Sequence, residues 1–224
     1  NPIRLDKVQK KFVDTKSKNG FRRIKGPAGS GKSLILASKA AMLASRGKRI
    51  LLLTYNITIR NYLFDLCKNV RSDCPYKSIE INSFHEWLKA ELKYKNNESY
   101  KKIWKDHFNS DQEINSSLAL QVSTLMQELS VNKNLESDLY DAIIVDEGQD
   151  FEPSWWKLLM QYKKVDGQMI LAADSSQSLY LLKEKWTDLP MLDCGFSGKW
   201  YELKHSYRLP ETIKNFAALF AKNY

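Results

Sequence analysis

The chain has 224 residues, 43% hydrophobic and 27% charged, a balance that supports a folded core and excludes an intrinsically disordered class. Lys and Arg number 35 against 26 Asp and Glu, a formal charge of +9, which favours a polyanionic partner without naming one. No apolar run approaches the roughly 20 residues that cross a bilayer, and "NPIRLDKVQKKF" lacks the apolar core of a signal peptide.

Taken in chain order, short apolar runs alternate with helix-like stretches. "FRRI" (21–24) reads as a first strand. A Gly-rich loop follows, then a helical run from Lys32 to Ser45. "RILLL" (49–53) is a second strand, followed by a helical run from Ile57 to Cys67, where the first of three cysteines stands. Cys67, Cys74 and Cys194 are an odd, sparse set with no zinc-like spacing, so a reducing, cytoplasmic setting is expected. "SIEI" (78–81) is a third strand. From about Leu92 to Leu139 the strand signal stops. "SYKKIWKDHF" and "INSSLALQVSTLMQELSV" there read as helices joined by polar linkers. "AIIV" (142–145), a helix from Trp155 to Tyr162 and "MILAA" (169–173) resume the alternation. Strands alternating with helices predict an α/β fold with a mainly parallel sheet flanked by crossover helices. Residues 1–91 and 140–224 would form that domain, with 92–139 a helical insertion.

"GPAGSGKS" (26–33) fits G-x-x-x-x-G-K-[ST], a phosphate-binding P-loop. Gly26, Ala28, Gly29, Ser30 and Gly31 would curl so that successive N–H groups face phosphate oxygens. The following helix presents its N-terminus to the same anion. Lys32 would reach the β- and γ-phosphates, and the Ser33 hydroxyl would ligate Mg²⁺ beside ATP. A strand end in "DAIIVDEGQDF" supplies the carboxylates: Asp146 for Mg²⁺, directly or through water, and Glu147 to polarise the attacking water.

These motifs, followed by "LAADSSQSLY" and "LKHSYRLPETI", resemble in order and spacing the first, RecA-like motor domain of superfamily 1 helicases of the UvrD/Rep type. The resemblance implies further roles. Gln9 in "LDKVQKKFV" would read the adenine edge, and Tyr207 would stack on adenine. Gln177 would sense the γ-phosphate, and Arg208 would act as an arginine finger. Tyr55 and Asn56, then Ser83, Phe84 and His85 in "INSFHEWL", and Tyr180 would touch single-stranded DNA or RNA. Phe84 and Trp87, each taken alone, read better as the core face of a helix, and His85 alone reads equally as a satisfied histidine at a helix start.

The pattern also departs from the family. Leu182 stands where an aromatic usually follows Tyr180, with Trp186 nearby, and Ala173–Asp174 replaces a Gly-Asp pair. The motifs of a second motor domain do not follow. The chain is thus expected to be the ATP-binding half of a helicase or translocase, an ATP hydrolase of little activity by itself. The alternative is an ATP-gated nucleic-acid-binding or regulatory module that unwinds nothing. A small P-loop kinase would need an acceptor pocket and an Arg-rich lid, and the sequence offers neither.

Overall fold

The computed structural model describes residues 4–71, 73–94, 98, 101–103, 105, 121, 124, 139–174, 193–204, 206 and 207. Gln177, Tyr180, Leu182, Trp186 and Arg208 lie outside these residues. The apolar runs form strands β1 (Phe21–Lys25), β2 (Ile50–Thr54), β3 (Ile79–Ser83), β4 (Tyr140–Asp146) and β5 (Lys163–Ala173). A two-residue strand, β6 (Tyr201–Glu202), adds an edge. The sheet runs β3-β2-β4-β5-β1-β6, and every pairing is parallel, as a RecA-like P-loop fold requires. A parallel sheet is covered on both faces, which is why the central strands read as unbroken apolar runs.

Side chains alternate between two cores with the period of a strand. Leu51, Leu53, Ile143, Val145, Met169 and Leu171 pack on one face. Against them lie α4 (Phe84–Tyr94) and α5 (Pro153–Gln161). Ile50, Leu52, Ala142, Ile144, Ile170 and Ala172 pack on the other. That face is covered by α1 (Lys7–Asp14), α2 (Lys32–Ala44) and α3 (Ile59–Val70). α2 is buried on nearly every side, and its alanines let α1 and α3 approach it closely. β5 carries an irregularity: Tyr140 pairs with Lys163 but Ala142 pairs with Gln168, so residues 164–167 loop out. Helix α4 runs across residue 91, and the described residues between 98 and 124 are helical. Ile103 among them packs on the first core.

Helix α1 carries Gln9 and is held at both ends. At its start, Asp6 and Gln9 form a capping box, with Gln9 N donating to Asp6 Oδ1 at 2.7 Å and Asp6 N to Gln9 Oε1 at 3.0 Å. At its end, Lys39 Nζ of α2 donates to the carbonyls of Val13 (2.8 Å) and Thr15 (2.9 Å). Arg22 Nη1 donates to Phe12 O (2.7 Å) and Thr15 O (2.8 Å), and its guanidinium lies 3.8 Å from the centre of the Phe12 ring. Cations suit the carbonyl end of a helix. Lys39 is 2% exposed. Burial first, then the charges of Arg22 and Arg46, push its pKa down to about 8.

A lysine whose folded pKa is depressed opposes folding while charged, and that penalty fades as pH rises through the folded pKa towards the unfolded value. Wild-type stability is therefore expected to gain, relative to Lys39→Met, as pH rises from about 8 towards 10.5. Urea denaturation of both proteins across that range measures it. Parallel pH profiles would show that the buried charge is not the cause.

Candidate nucleotide-binding site

The loop between β1 and α2 closes at Gly31, which takes a left-handed conformation (φ 85°, ψ 21°) as the residue preceding α2. A side chain there would be strained, and its Cβ would sit 2.6 Å from Gln9 Nε2. No side chain caps the start of α2, so its first N–H groups remain aimed at the loop. Lys32 and Ser33 then turn inward. Lys32 is 6% exposed. Its Nζ donates to Gly26 O (2.7 Å), Pro27 O (3.2 Å) and Asp174 Oδ2 (3.3 Å). Ser33 Oγ donates to Asp146 Oδ2 at 2.6 Å.

Asp146 closes β4 and is fully buried. Its other oxygen accepts from Glu147 N at 3.1 Å. Among the described residues no Lys or Arg forms an ion pair with it. Burial pushes its pKa up to about 6, against the opposing pull of the Ser33 hydroxyl. A buried carboxylate beside a hydroxyl is a hard oxygen pair that suits Mg²⁺, which takes one or two protein oxygens and completes its shell with water and phosphate. No cluster of three or more acidic, His or Cys side chains that could hold a metal is present among the described residues.

Glu147 is the only described non-glycine residue with positive φ (54°). Such a conformation is strained for a residue with a Cβ. The turn sends its side chain to the cleft wall, where Gln149 Nε2 donates to Glu147 Oε2 at 2.7 Å. Gln149 Oε1 in turn accepts from Asp174 N at 3.2 Å, at the end of β5. Gly148 between them is compulsory in another way. A Cβ there would meet Leu171 Cδ1 at 1.8 Å and Trp156 Cζ2 at 3.2 Å. Gln149 and Asp174 carried no role in the sequence reading, since their partners are visible only once β4 and β5 are paired.

The loop lines a cavity of about 440 Å³, within the usual range for small-molecule sites. Ala28, Gly29, Lys32, Ser33 and Glu147 line it together with Asp6, Gln9 and Tyr207. Ser30 is buried, and its carbonyl accepts from Gln9 Nε2 at 3.3 Å. Tyr207 is 63% exposed, and its hydroxyl donates to Asp6 Oδ2 while its N–H donates to Gly29 O at 2.9 Å. Asp6 is thus shared by Gln9 and Tyr207. Its D-x-x-Q spacing in "LDKVQ" is a capping-box signature that marks it in the sequence.

The residues expected to face nucleic acid divide. Tyr55 is 42% exposed at the carboxyl end of β2. Asn56 is also exposed, and its Oδ1 accepts from Thr58 N and Thr58 Oγ1 (2.9 and 2.8 Å), opening α3. His85 is half-buried, with its ring edge-on to Tyr55 at 5.7 Å. Phe84 and Ser83 must be corrected. Phe84 is wholly buried and stacks on Trp155 at 4.1 Å, because the apolar face of α4 turns to the core. Ser83 is 3% exposed, and its Oγ accepts from Glu86 N at 3.2 Å as a cap for α4. Neither side chain reaches the surface. Trp155, read from the sequence only as the start of a helix, also stacks beneath Tyr55 at 6.2 Å.

The raised pKa of Asp146 carries a sign. A carboxylate with a folded pKa above its unfolded value destabilises the folded state once ionised, so the penalty grows as pH rises from about 4 through about 6. Asp146→Asn should therefore be more stable than wild type at pH 7 without Mg²⁺, by on the order of 2 kcal/mol. The gap should shrink towards pH 4, and Mg²⁺ with nucleotide should stabilise the variant less than wild type. Thermal melts over that range test it. Lower stability of the variant at pH 7 would contradict the assignment.

A family model described as an AAA domain, AAA_19, matches residues 9–183. No curated protein matches the chain. Among solved structures, the Pif1 helicase from Candida albicans matches with a TM-score of 0.55 at 12% identity. The match covers 97% of this chain and 43% of that one, so the chain spans less than half the length of the helicase it resembles in fold. No described helix is long and apolar enough to cross a membrane. The chain belongs to the AAA_19 family of AAA domains, and its fold is that of the matching part of the helicase.

Proposed function

We propose that the chain is the ATP-binding half of a motor that hydrolyses ATP to move along single-stranded DNA or RNA, acting with a second motor domain. The observation that carries this reading is the pairing of Ser33 with a fully buried Asp146 at 2.6 Å, with Glu147 turned towards the same cleft. A structural carboxylate would be paired with a cation or left in water; this one is neither. Residues 92–139 are taken as a helical insertion in this domain.

Each residue then has a task. The Gly26–Ser33 loop offers its N–H groups to the phosphates, and Lys32 supplies positive charge to them. Ser33 and Asp146 would hold Mg²⁺, which neutralises charge that develops on the phosphate oxygens. Glu147 orients a water and takes its proton. Gln9 and Tyr207 bound the part of the cavity that suits a nucleobase. Gln177 and Arg208, on the resemblance alone, would contact the γ-phosphate. On the far side, Tyr55 over Trp155, flanked by His85, makes an aromatic platform. Such a platform stacks any base, which suits a protein that travels without regard to sequence. The formal charge of +9 favours the phosphate backbone that would run past it.

Two expectations follow for the full-length protein. Lys32→Ala should weaken Mg²⁺–ATP binding by about 10–100-fold, whereas Glu147→Gln should keep the affinity within a few-fold and lower turnover by about 10²–10⁴-fold. Titration calorimetry beside steady-state ATPase assays separates the two. Equal loss of affinity in both variants would deny Glu147 its role. Binding of a labelled single strand should fall steeply with salt, and Tyr55→Ala should weaken it by about tenfold whatever the base sequence. Fluorescence anisotropy measures both, and binding indifferent to Tyr55 would move the nucleic-acid path elsewhere.

A further inference from the structure

Lys32 has three N–H donors, and three protein oxygens accept them: Gly26 O, Pro27 O and Asp174 Oδ2. The first two belong to the phosphate loop itself. Asp174 does not. It directly follows β5, is 3% exposed, and lies 142 positions away in sequence. An ammonium fully committed to protein oxygens must give one up before it can hold a phosphate oxygen. The carbonyls of the loop stay beside Lys32 whatever binds, so the exchange falls on Asp174. That residue is tied a second time, because its N–H donates to Gln149 Oε1 at 3.2 Å. The other end of the same amide donates to Glu147 Oε2 at 2.7 Å. One unbroken chain of hydrogen bonds thus runs from Lys32 through Asp174 and Gln149 to Glu147.

We infer that Asp174 is a positioning residue that competes with nucleotide phosphate for Lys32, and that Gln149 passes this competition on to Glu147. The inference rests on the reading of the Gly26–Ser33 loop as a nucleotide site. Its consequence is an ordering of events. Lys32 leaves Asp174 as phosphate arrives, and the end of β5 is then free to shift. Gln149 couples that shift to the carboxylate that orients water. Glu147 is placed for chemistry only when Lys32 is engaged with phosphate.

The competition predicts a direction that a purely supporting residue would not. Removing a contact that phosphate must displace makes binding tighter. In the full-length protein, Asp174→Asn should bind Mg²⁺–ADP about tenfold more tightly than wild type by calorimetry, the scale of one buried charge-assisted hydrogen bond. In a Lys32→Met background the same substitution should change affinity less than about twofold, because the competitor has lost its target. Gln149→Leu should leave ADP affinity within about twofold and lower ATP turnover by about tenfold or more at similar KM, since it cuts the link to Glu147 and leaves the Lys32–Asp174 pair in place. Melting curves establish that each variant is folded, and Asp174→Ser serves in place of Asp174→Asn should the latter not fold.

Unchanged or weaker ADP binding by the folded Asp174 variant overturns the inference. So does equal tightening in both backgrounds, which would mean that Asp174 repels phosphate directly. A Gln149→Leu variant that loses affinity but keeps turnover overturns the link to Glu147. A wild-type protein that binds no Mg²⁺–ADP overturns the nucleotide reading and the inference together. Failure of the competition alone leaves wild-type binding intact.

Discussion

The first turn of α2 is stitched to two strand ends by charge, and the rest of the site depends on that stitching. Lys32 meets Asp174 at the end of β5, and Ser33 meets Asp146 at the end of β4. The strand order explains why consecutive residues reach different strands. β1 lies beside β5, and β5 beside β4. A helix that follows β1 and crosses back over the sheet passes β5 first and β4 next. All the strands are parallel, so their carboxyl ends lie on one side, which is where α/β sheets gather ligands. Residues 32, 146 and 174 become neighbours through topology alone.

That gathering has a local cost. Asp146 is buried with its pKa pushed up, Glu147 holds a left-handed backbone, and Lys32 is nearly excluded from water. Each opposes folding. The offset comes from below the site, where alternating strand residues feed two separate apolar cores. Gly148 shows how close the two demands lie. It sits between the strained Glu147 and Gln149, and Leu171 of β5 fills the space that its side chain would need. Local rules fail at the functional turn and hold around it, as expected where a site is built on a rigid frame.

How much of this was legible in the sequence follows from where the information lies. β2, the AIIV run of β4 and the later half of β5 could be read because burial on both faces leaves an unbroken apolar run, whereas β1 and β3 showed only as short runs interrupted by charged residues. The start of β5 could not, because residues 164–167 are mostly polar and loop out of the pairing, and β6 has only two residues. The phosphate loop and Asp146–Glu147 were legible because each is contiguous. The Asp174–Lys32 pair and the Gln149 bridge were not, since no local pattern joins residues that far apart. Phe84 misled for a related reason. An aromatic at a helix start looks the same whether it faces a base or a tryptophan, and only the placement of Trp155 one helix away decides. Of the residues named by resemblance, Gln177, Tyr180 and Arg208 lie outside the described residues.

The same aromatic residues join the two sides of the molecule. The turn after Glu147 ends in Phe151, which packs on Phe84, Trp155 and Trp156 at ring separations of 5.5, 5.4 and 5.5 Å. Trp155 in turn stacks beneath Tyr55. From the carboxylate proposed to orient water to the ring proposed to meet a base, the path is a few side chains in direct contact. Close-packed interiors do not absorb displacement in soft gaps; they move as units or resist. A shift of the turn at residues 148–150 therefore has to be met by Phe151, and a shift of Phe151 by the stacked rings around it. Contact alone is not coupling, which also needs an element with two arrangements that both sites bias. The turn holding Glu147 is placed to be that element, because the chain through Gln149 and Asp174 reaches it from the phosphate side and the aromatic stack reaches it from the other.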